Sequence, residues 1–291
     1  MADPVAGDRV GAYTIESELG EGGMGRVYKA VDDQGQPVAL KIVKGEMAAD
    51  EIFLKRFKRE AEVAQRIDHP HVVAVVGIGE HEGLPWIAQR FVGGGSLEQR
   101  LDKLGALDVH QVIAIAKQVA TGLDVLHENG LIHRDLKPGN ILVDERGKPY
   151  IADFGLAKDH QHEGTVLTRP GQALGSMDYM APEQIRGDEV GAATDVYALA
   201  CMLFELLTGQ PPFAEKVGMR IMWAHLQDLP PHPSDIKPEI PRAVGDAILL
   251  GLAKEPEDRP RSAGEFMRLV ELAGGPPPSP DDLTVVPPPS G

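Results

Sequence analysis

The chain has 291 residues, 42% of them apolar, with 44 acidic against 29 basic side chains and a net charge of −15. That length supports one large domain or two lobes with a true core, and so acidic a surface repels a phosphate backbone, which argues against a nucleic-acid partner. No apolar run approaches the roughly 18 residues of a membrane span, the Met-Ala-Asp-Pro start gives no reason to expect a signal peptide, and the single Cys201 leaves no disulfide framework or Cys-rich zinc site, which fits a cytosolic compartment.

The first third reads as strand and turn. Tyr13 to Leu19 alternates before a glycine cluster, Val27 to Val31 follows it, and Pro37 to Val43 gives a third strand after the turn Asp32-Asp33-Gln34-Gly35. Asp50 to Ile67 predicts a helix, with Ile52, Phe53, Phe57, Ala61 and Ala64 on one face. Two short apolar runs, Val72 to Ile78 and Leu84 to Val92, lead to Gly93-Gly94-Gly95. Helices dominate beyond: 109–128, then 193–208, apolar on almost every side and so expected in a core, then about 215–226 and 242–271 with a break around Pro256 and Pro260. Strands first and helices after predict an α+β fold of two lobes with a cleft between them. Residues 274–291, with two Pro-Pro-Pro runs, read as an extended linker or tail.

Gly20-Glu21-Gly22-Gly23-Met24-Gly25 is a G-x-G-x-x-G. A dinucleotide-binding turn would need a helix straight after it. A strand follows here, so the glycines form a hairpin whose backbone N–H groups can lie over phosphates. Lys41 in Val38-Ala39-Leu40-Lys41 sits on the third strand, and Glu60 lies nineteen residues later on the helix. A Lys41–Glu60 pair would hold the ammonium against nucleotide phosphates.

The decisive run is His133-Arg134-Asp135-Leu136-Lys137-Pro138-Gly139-Asn140, followed by Asp153-Phe154-Gly155 and later by Ala181-Pro182-Glu183. Asp135 can accept or orient a substrate hydroxyl's proton. Asn140 and Asp153 offer the hard oxygen ligands that suit Mg2+. Lys137 can neutralise charge on a transferring phosphoryl group. Each fragment alone has an ordinary structural explanation, but the ordered set with these spacings does not.

With these motifs, over about residues 13–273, the chain resembles the eukaryotic-type protein kinases, and most of all the bacterial Ser/Thr kinases, through Gly-Gly-Met-Gly-Arg-Val-Tyr, Arg59-Glu60-Ala61 and Ala181-Pro182-Glu183-Gln184. The resemblance implies a strand-rich N-lobe at 13–92 with one main helix, a helical C-lobe at 93–273, and a short N-terminal extension at 1–12. It implies ATP and Mg2+ as cofactors, with Mn2+ able to substitute, and protein Ser/Thr hydroxyls as acceptors. Val27, Ala39 and Leu142 stand where such kinases sandwich the adenine. Gln89 takes the gatekeeper position, and Arg90 and Val92 the hinge. Asp195 would brace the catalytic loop, and Arg259 would pair with Glu183. Arg134 and Lys158 would form a basic pocket for a phosphate on Thr168, or second on Thr165, with Ser176 kept as a structural hydroxyl.

Two other functions share parts of this pattern. A pseudokinase scaffold would usually lack Lys41, Asp135, Asn140 or Asp153, and a small-molecule phosphotransferase would not be expected to carry Ala181-Pro182-Glu183. His69-Pro70-His71 reads as a turn rather than a metal pair. His160 and His162 lack a third ligand, and Cys201 reads as a buried apolar residue. The tail island Asp281-Asp282-Leu283-Thr284-Val285-Val286 suggests an inert spacer or, if Thr284 is phosphorylated, a dock for a phosphothreonine-reading partner. A homodimer and a place as the cytoplasmic domain of a longer membrane-anchored receptor are both compatible with the sequence.

Overall fold

The structure, a computed structural model, describes residues 3–23, 25–154 and 174–275. Its first part is a six-stranded antiparallel sheet in the order β1-β2-β3-β4-β6-β5. The strands are β1 (Arg9–Val10), β2 (Tyr13–Glu21), β3 (Gly25–Val31), β4 (Pro37–Val43), β5 (Val75–His81) and β6 (Leu84–Arg90). The chain leaves the sheet after β4 for the short α1 (Gly45–Ala48) and the longer α2 (Glu51–Ala64), and β6 returns beside β4. The pairing Val27↔Lys41 and Ala39↔Gln89 brings three strands of the cleft roof into register.

One sheet face is a core of its own, built on Tyr13, Ile15, Tyr28, Ala30, Leu40, Trp86 and Ala88. The sheet curls tightly enough to bring together two strands that are not neighbours in it: Tyr13 of β2 and Trp86 of β6 pack edge to face with ring centroids 5.6 Å apart. Gly77 and Gly79 on the edge strand make room for them. A Cβ on Gly79 would lie 2.3 Å from the indole of Trp86, and one on Gly77 2.5 Å from the Tyr13 hydroxyl.

Asp50 starts α2 by accepting from the backbone N–H groups of Ile52 and Phe53, a cap worth about 1 kcal/mol. Phe53, Phe57, Ala61 and Ala64 form the buried stripe, while Ile52 is 56% exposed. The expectation for Ile52 fails because the stripe advances by three or four residues and Phe53 already holds its first position. The strand at Arg9–Val10 was not expected either, since two residues carry no period to read.

The remainder is helical: α3 (Leu97–Leu104), α4 (Val109–Glu128), α5 (Pro182–Arg186), α6 (Ala192–Thr208), α7 (Met219–Gln227), α8 (Pro233–Ile236), α9 (Arg242–Gly251) and α10 (Ala263–Gly274), with a hairpin of β7 (Ile141–Val143) and β8 (Pro149–Ile151). α6 lies in the centre of the large core, with Val196 to Phe204 essentially without solvent contact. The stretch read as 242–271 is two helices, because the Pro256–Asp258 turn and Pro260 break the backbone ladder. Residues 91–96 join sheet and helices. They end in a capping box in which Ser96 and Gln99 satisfy each other's backbone N–H. Among the described residues no helix is long and apolar enough to cross a membrane.

Candidate active site

The catalytic loop between α4 and β7 is held from below by one carboxylate. Asp195, at the start of α6, has no solvent exposure and accepts from the backbone N–H of His133 at 2.8 Å, that of Arg134 at 2.9 Å, and His127 Nε2 at 2.7 Å. Two successive N–H groups can converge on one acceptor because Arg134 takes φ = 64°. Burial pushes the Asp195 carboxyl up, but the bonds and charges of His127 and His133 outweigh it and hold the group below its ordinary value. His133 itself is buried, with Nε2 3.0 Å from the carbonyl oxygen of Ala152. The loop is thereby tied to the residue just before Asp153.

Above that support the loop gathers the polar groups. Asn140 Nδ2 donates to the Asp135 carbonyl at 2.6 Å and to its carboxylate at 3.0 Å, and Lys137 Nζ lies 3.6 Å from the same carboxylate. The Ala152 N–H donates to the Asn140 carbonyl at 2.9 Å, which sets Asp153 beside this cluster. Asp153 has φ = 55° and receives Lys41 Nζ at 2.8 Å. Lys41 therefore pairs with Asp153 and not with Glu60 in this structure. Glu60 instead lines a cavity of about 230 Å3 between α2 and the catalytic loop, together with Arg56, Arg59, Leu131 and Arg134.

The oxygen donors fit a hard divalent cation. Asn140 spends its amide nitrogen on Asp135, which leaves its side-chain oxygen for a ligand, and Asp153 commits one oxygen to Lys41. Two protein oxygens completed by phosphates and water are the usual set for Mg2+. Among the described residues there is no cluster of three His, Cys, Asp or Glu that would make an all-protein metal cage.

The cleft walls come from both sides. Val27, Ala39 and Leu142 are half-buried, and Gln89 is buried at 6% exposure. Arg90 is exposed and turns its guanidinium onto the Tyr150 ring, 4.4 Å from the centroid, while its N–H donates to the Ala74 carbonyl. Val92 is half-buried against the cluster of Val73, Tyr150 and Ala152. In the glycine hairpin the Gly22 N–H donates to the Gly25 carbonyl at 2.8 Å. Glu21 reaches Lys44 at 2.7 Å and Arg26 at 3.4 Å, and the Lys44 ammonium holds its carboxyl below the ordinary range. Gly20 and Gly23 have open space around them. A Cβ on Gly25 would strike the Ile42 carbonyl, so that position fixes the hairpin on β4.

Glu183 and Arg259 form a fully buried bidentate pair at 2.8 Å for both bonds, and Thr194 donates to Glu183. The remaining guanidinium donors go to the carbonyls of Ala253, Ala193 and Lys254. Burial raises the Glu183 carboxyl, but Arg259 wins and holds it low. Met24, Lys158, Thr165, Thr168 and the side chain of Ser176 lie outside the described residues.

Sequence reasoning missed several supporting groups. His127 orients Asp195 from α4, Gln184 donates to the Arg134 carbonyl at 2.9 Å, and Arg56 and Arg59 face Arg134 across the cavity. The only signal for the arginines is their spacing, with Glu60, along one side of α2.

The protein kinase domain family matches residues 13–267. The chain is 41% identical over 267 residues to the serine/threonine-protein kinase PknD of Mycobacterium tuberculosis, covering 91% of this chain and 40% of that protein. It is 38% identical over 273 residues to PknE of the same organism, covering 94% and 48%. It thus spans less than half the length of these curated relatives. The crystal structure of the Mycobacterium tuberculosis PknI kinase domain superposes with a TM-score of 0.76 at 33% identity, covering 93% of this chain and all of that one. Rad53 in complex with AMP-PNP gives 0.73 at 26% identity, covering 89% and 66%. With the catalytic loop, the Lys41–Asp153 pair and the two-lobed fold, these matches establish that the chain belongs to the protein kinase domain family.

Proposed function

We propose that this chain transfers the γ-phosphoryl group of ATP, held as a divalent-metal complex, to serine and threonine hydroxyls of proteins, its own activation segment included. The observation that carries the reading is the convergence of Asp135, Lys137 and Asn140 on one loop beside the Lys41–Asp153 pair. Val27, Ala39 and Leu142 would wall the adenine, with Gln89 behind it and the backbone of Arg90 and Val92 along its edge. The hairpin from Gly20 to Gly25 would cover the phosphates. Lys41 would exchange Asp153 for the α- and β-phosphates. Asn140 and Asp153 would hold Mg2+, which neutralises charge on the phosphates when bound.

Asp135 accepts the hydroxyl's proton, the acceptor oxygen bonds to the γ-phosphorus, and the bond to the bridging oxygen breaks to leave ADP. Lys137 stabilises the charge spread over the transferring group. The AMP-PNP complex of Rad53 and the names of the mycobacterial relatives support nucleotide binding and the choice of acceptor.

For regulation, Thr168 is the proposed main phosphosite and Thr165 the second. The arginine-lined cavity beside Arg134 supports this, because a phosphate carries about −1.5 to −2 charges and pairs best with guanidinium. The test is incubation with Mg-ATP and an acceptor protein, read by phosphopeptide mapping. Phosphoserine and phosphothreonine are expected in the acceptor, and phosphate at Thr165 or Thr168 in the chain. The Thr165→Ala/Thr168→Ala variant should lose activity several-fold. Phosphotyrosine alone would overturn the acceptor assignment, and full activity in the double variant would overturn the loop assignment.

A further inference from the structure

A second concave surface lies away from the catalytic loop, between α3 and the turn that joins β7 to β8. This groove of about 450 Å3 is lined by Arg100, Lys103, Leu104, Arg146 and Gly147. Arg100 reaches across it, its guanidinium 3.5 Å from where a Cβ on Gly147 would stand. The Lys148 N–H holds the Asp144 carboxyl below its ordinary value, and Arg146 helps through its charge. Two carboxylates, Asp144 and Glu145, also line the groove, and Asp144 is already spent, accepting from the N–H groups of Arg146 and Lys148 and from the Tyr150 hydroxyl. Leu104 adds an apolar surface that is 64% exposed. On a chain of net charge −15 a concavity with three cations against two carboxylates stands out.

We infer that this groove receives the chain's own segment Asp281-Asp282-Leu283-Thr284-Val285-Val286. Charge and shape chemistry agree: the two tail carboxylates would face Arg100 and Lys103, with Arg146 shared with Asp144, and Leu283 would meet Leu104. The path also agrees. α10 runs antiparallel to α4, with Gly264 against Asp124, Glu271 bonded to Lys117 and Gly274 against Ile113. Gly275 therefore leaves near the start of α4, and only residues 105–108 separate that start from Leu104. One turn of α4 back to its first residue is roughly 5 Å. The six residues to Asp281 can span roughly 20 Å. Docking there would place the tail against the helix that follows the inter-lobe connection.

A nitroxide at Val286→Cys tests this, because Cys201 is fully buried and does not compete for the label. In the 291-residue chain, backbone amide signals of residues 96–104 and 144–147 should be strongly attenuated relative to the reduced label. The attenuation should fade at high salt and in Arg100→Glu/Lys103→Glu, and return when Asp281→Lys/Asp282→Lys is added to that variant. Absence of attenuation at low salt, or attenuation of a different surface, overturns the inference. Attenuation that appears only when isotope-labelled chains are mixed with spin-labelled unlabelled chains also overturns it, because the occupant is then a second copy.

Discussion

Arg259 spends its guanidinium on Glu183 and three carbonyls without touching solvent, so its value shows only when a partner is removed. Breaking a buried pair from one side strands a charge and costs about 3–5 kcal/mol, whereas replacing both with apolar groups is far milder. Arg259→Met should therefore lower the urea midpoint sharply, and Glu183→Leu/Arg259→Met should recover much of the loss. A double variant as unstable as the sum of the singles would contradict this account. Lys41→Met is expected to cost activity rather than fold, because the Lys41–Asp153 pair is half exposed on its acidic side. Its check is intact unfolding behaviour with strongly reduced phosphoryl transfer. These residues were legible as types at fixed spacings. The Arg259–Glu183 pairing was expected through the family resemblance, but nothing in the sequence told that Lys41 would choose Asp153 over Glu60, since the choice depends on where α2 sits.

At the scale of elements, α6 carries two carboxylates with opposite behaviour. Asp195 near its start is held low, so its contribution is present at neutral pH and lost as pH falls through its folded value. Glu205 near its end is pushed up to about 7 by burial, with Asp178, Glu98 and Asp102 adding to the rise, while the Tyr179 hydroxyl donates to it. A raised carboxyl favours the fold below its ordinary 4.5 and loses that contribution as pH climbs through 7. Glu205→Gln should thus be more stable than the parent at pH 8, by on the order of 1–3 kcal/mol, and closer to it at pH 5. Urea unfolding at the two pH values checks this, and an equal difference at both would refute it. The edge strand β5 offers a second test. Gly79→Ala forces a methyl into the Trp86 ring and should cost about 1–3 kcal/mol, seen as a lower melting temperature. The long periodic helices were readable in advance, α6 above all because it is apolar all round. The glycines of β5 were not, because their reason lies in rings on other strands: Trp86, paired directly opposite Gly79 on β6, and Tyr13, which the curl of the sheet brings to Gly77.

For the whole molecule, strands first and helices after were enough to expect two lobes, and the connection at 91–96 is where they meet. The cleft gathers groups distant in sequence: Lys41 from β4, Asp135 and Asn140 from the loop after α4, and Asp153 after β8. Sequence could rank these residues as a set, with Asp195 expected beneath the loop through the family resemblance, but could not supply His127 and Gln184, which act through burial and hydrogen bonds to other elements. The most direct test of the account is single-turnover phosphoryl transfer from Mg-ATP by the parent chain and by Asp135→Asn, with ATP affinity measured on both by titration. The account predicts near-complete loss of transfer in the variant with ATP affinity largely unchanged, because Asp135 acts on the acceptor hydroxyl and not on the nucleotide. Transfer at close to the parent rate in Asp135→Asn would contradict it.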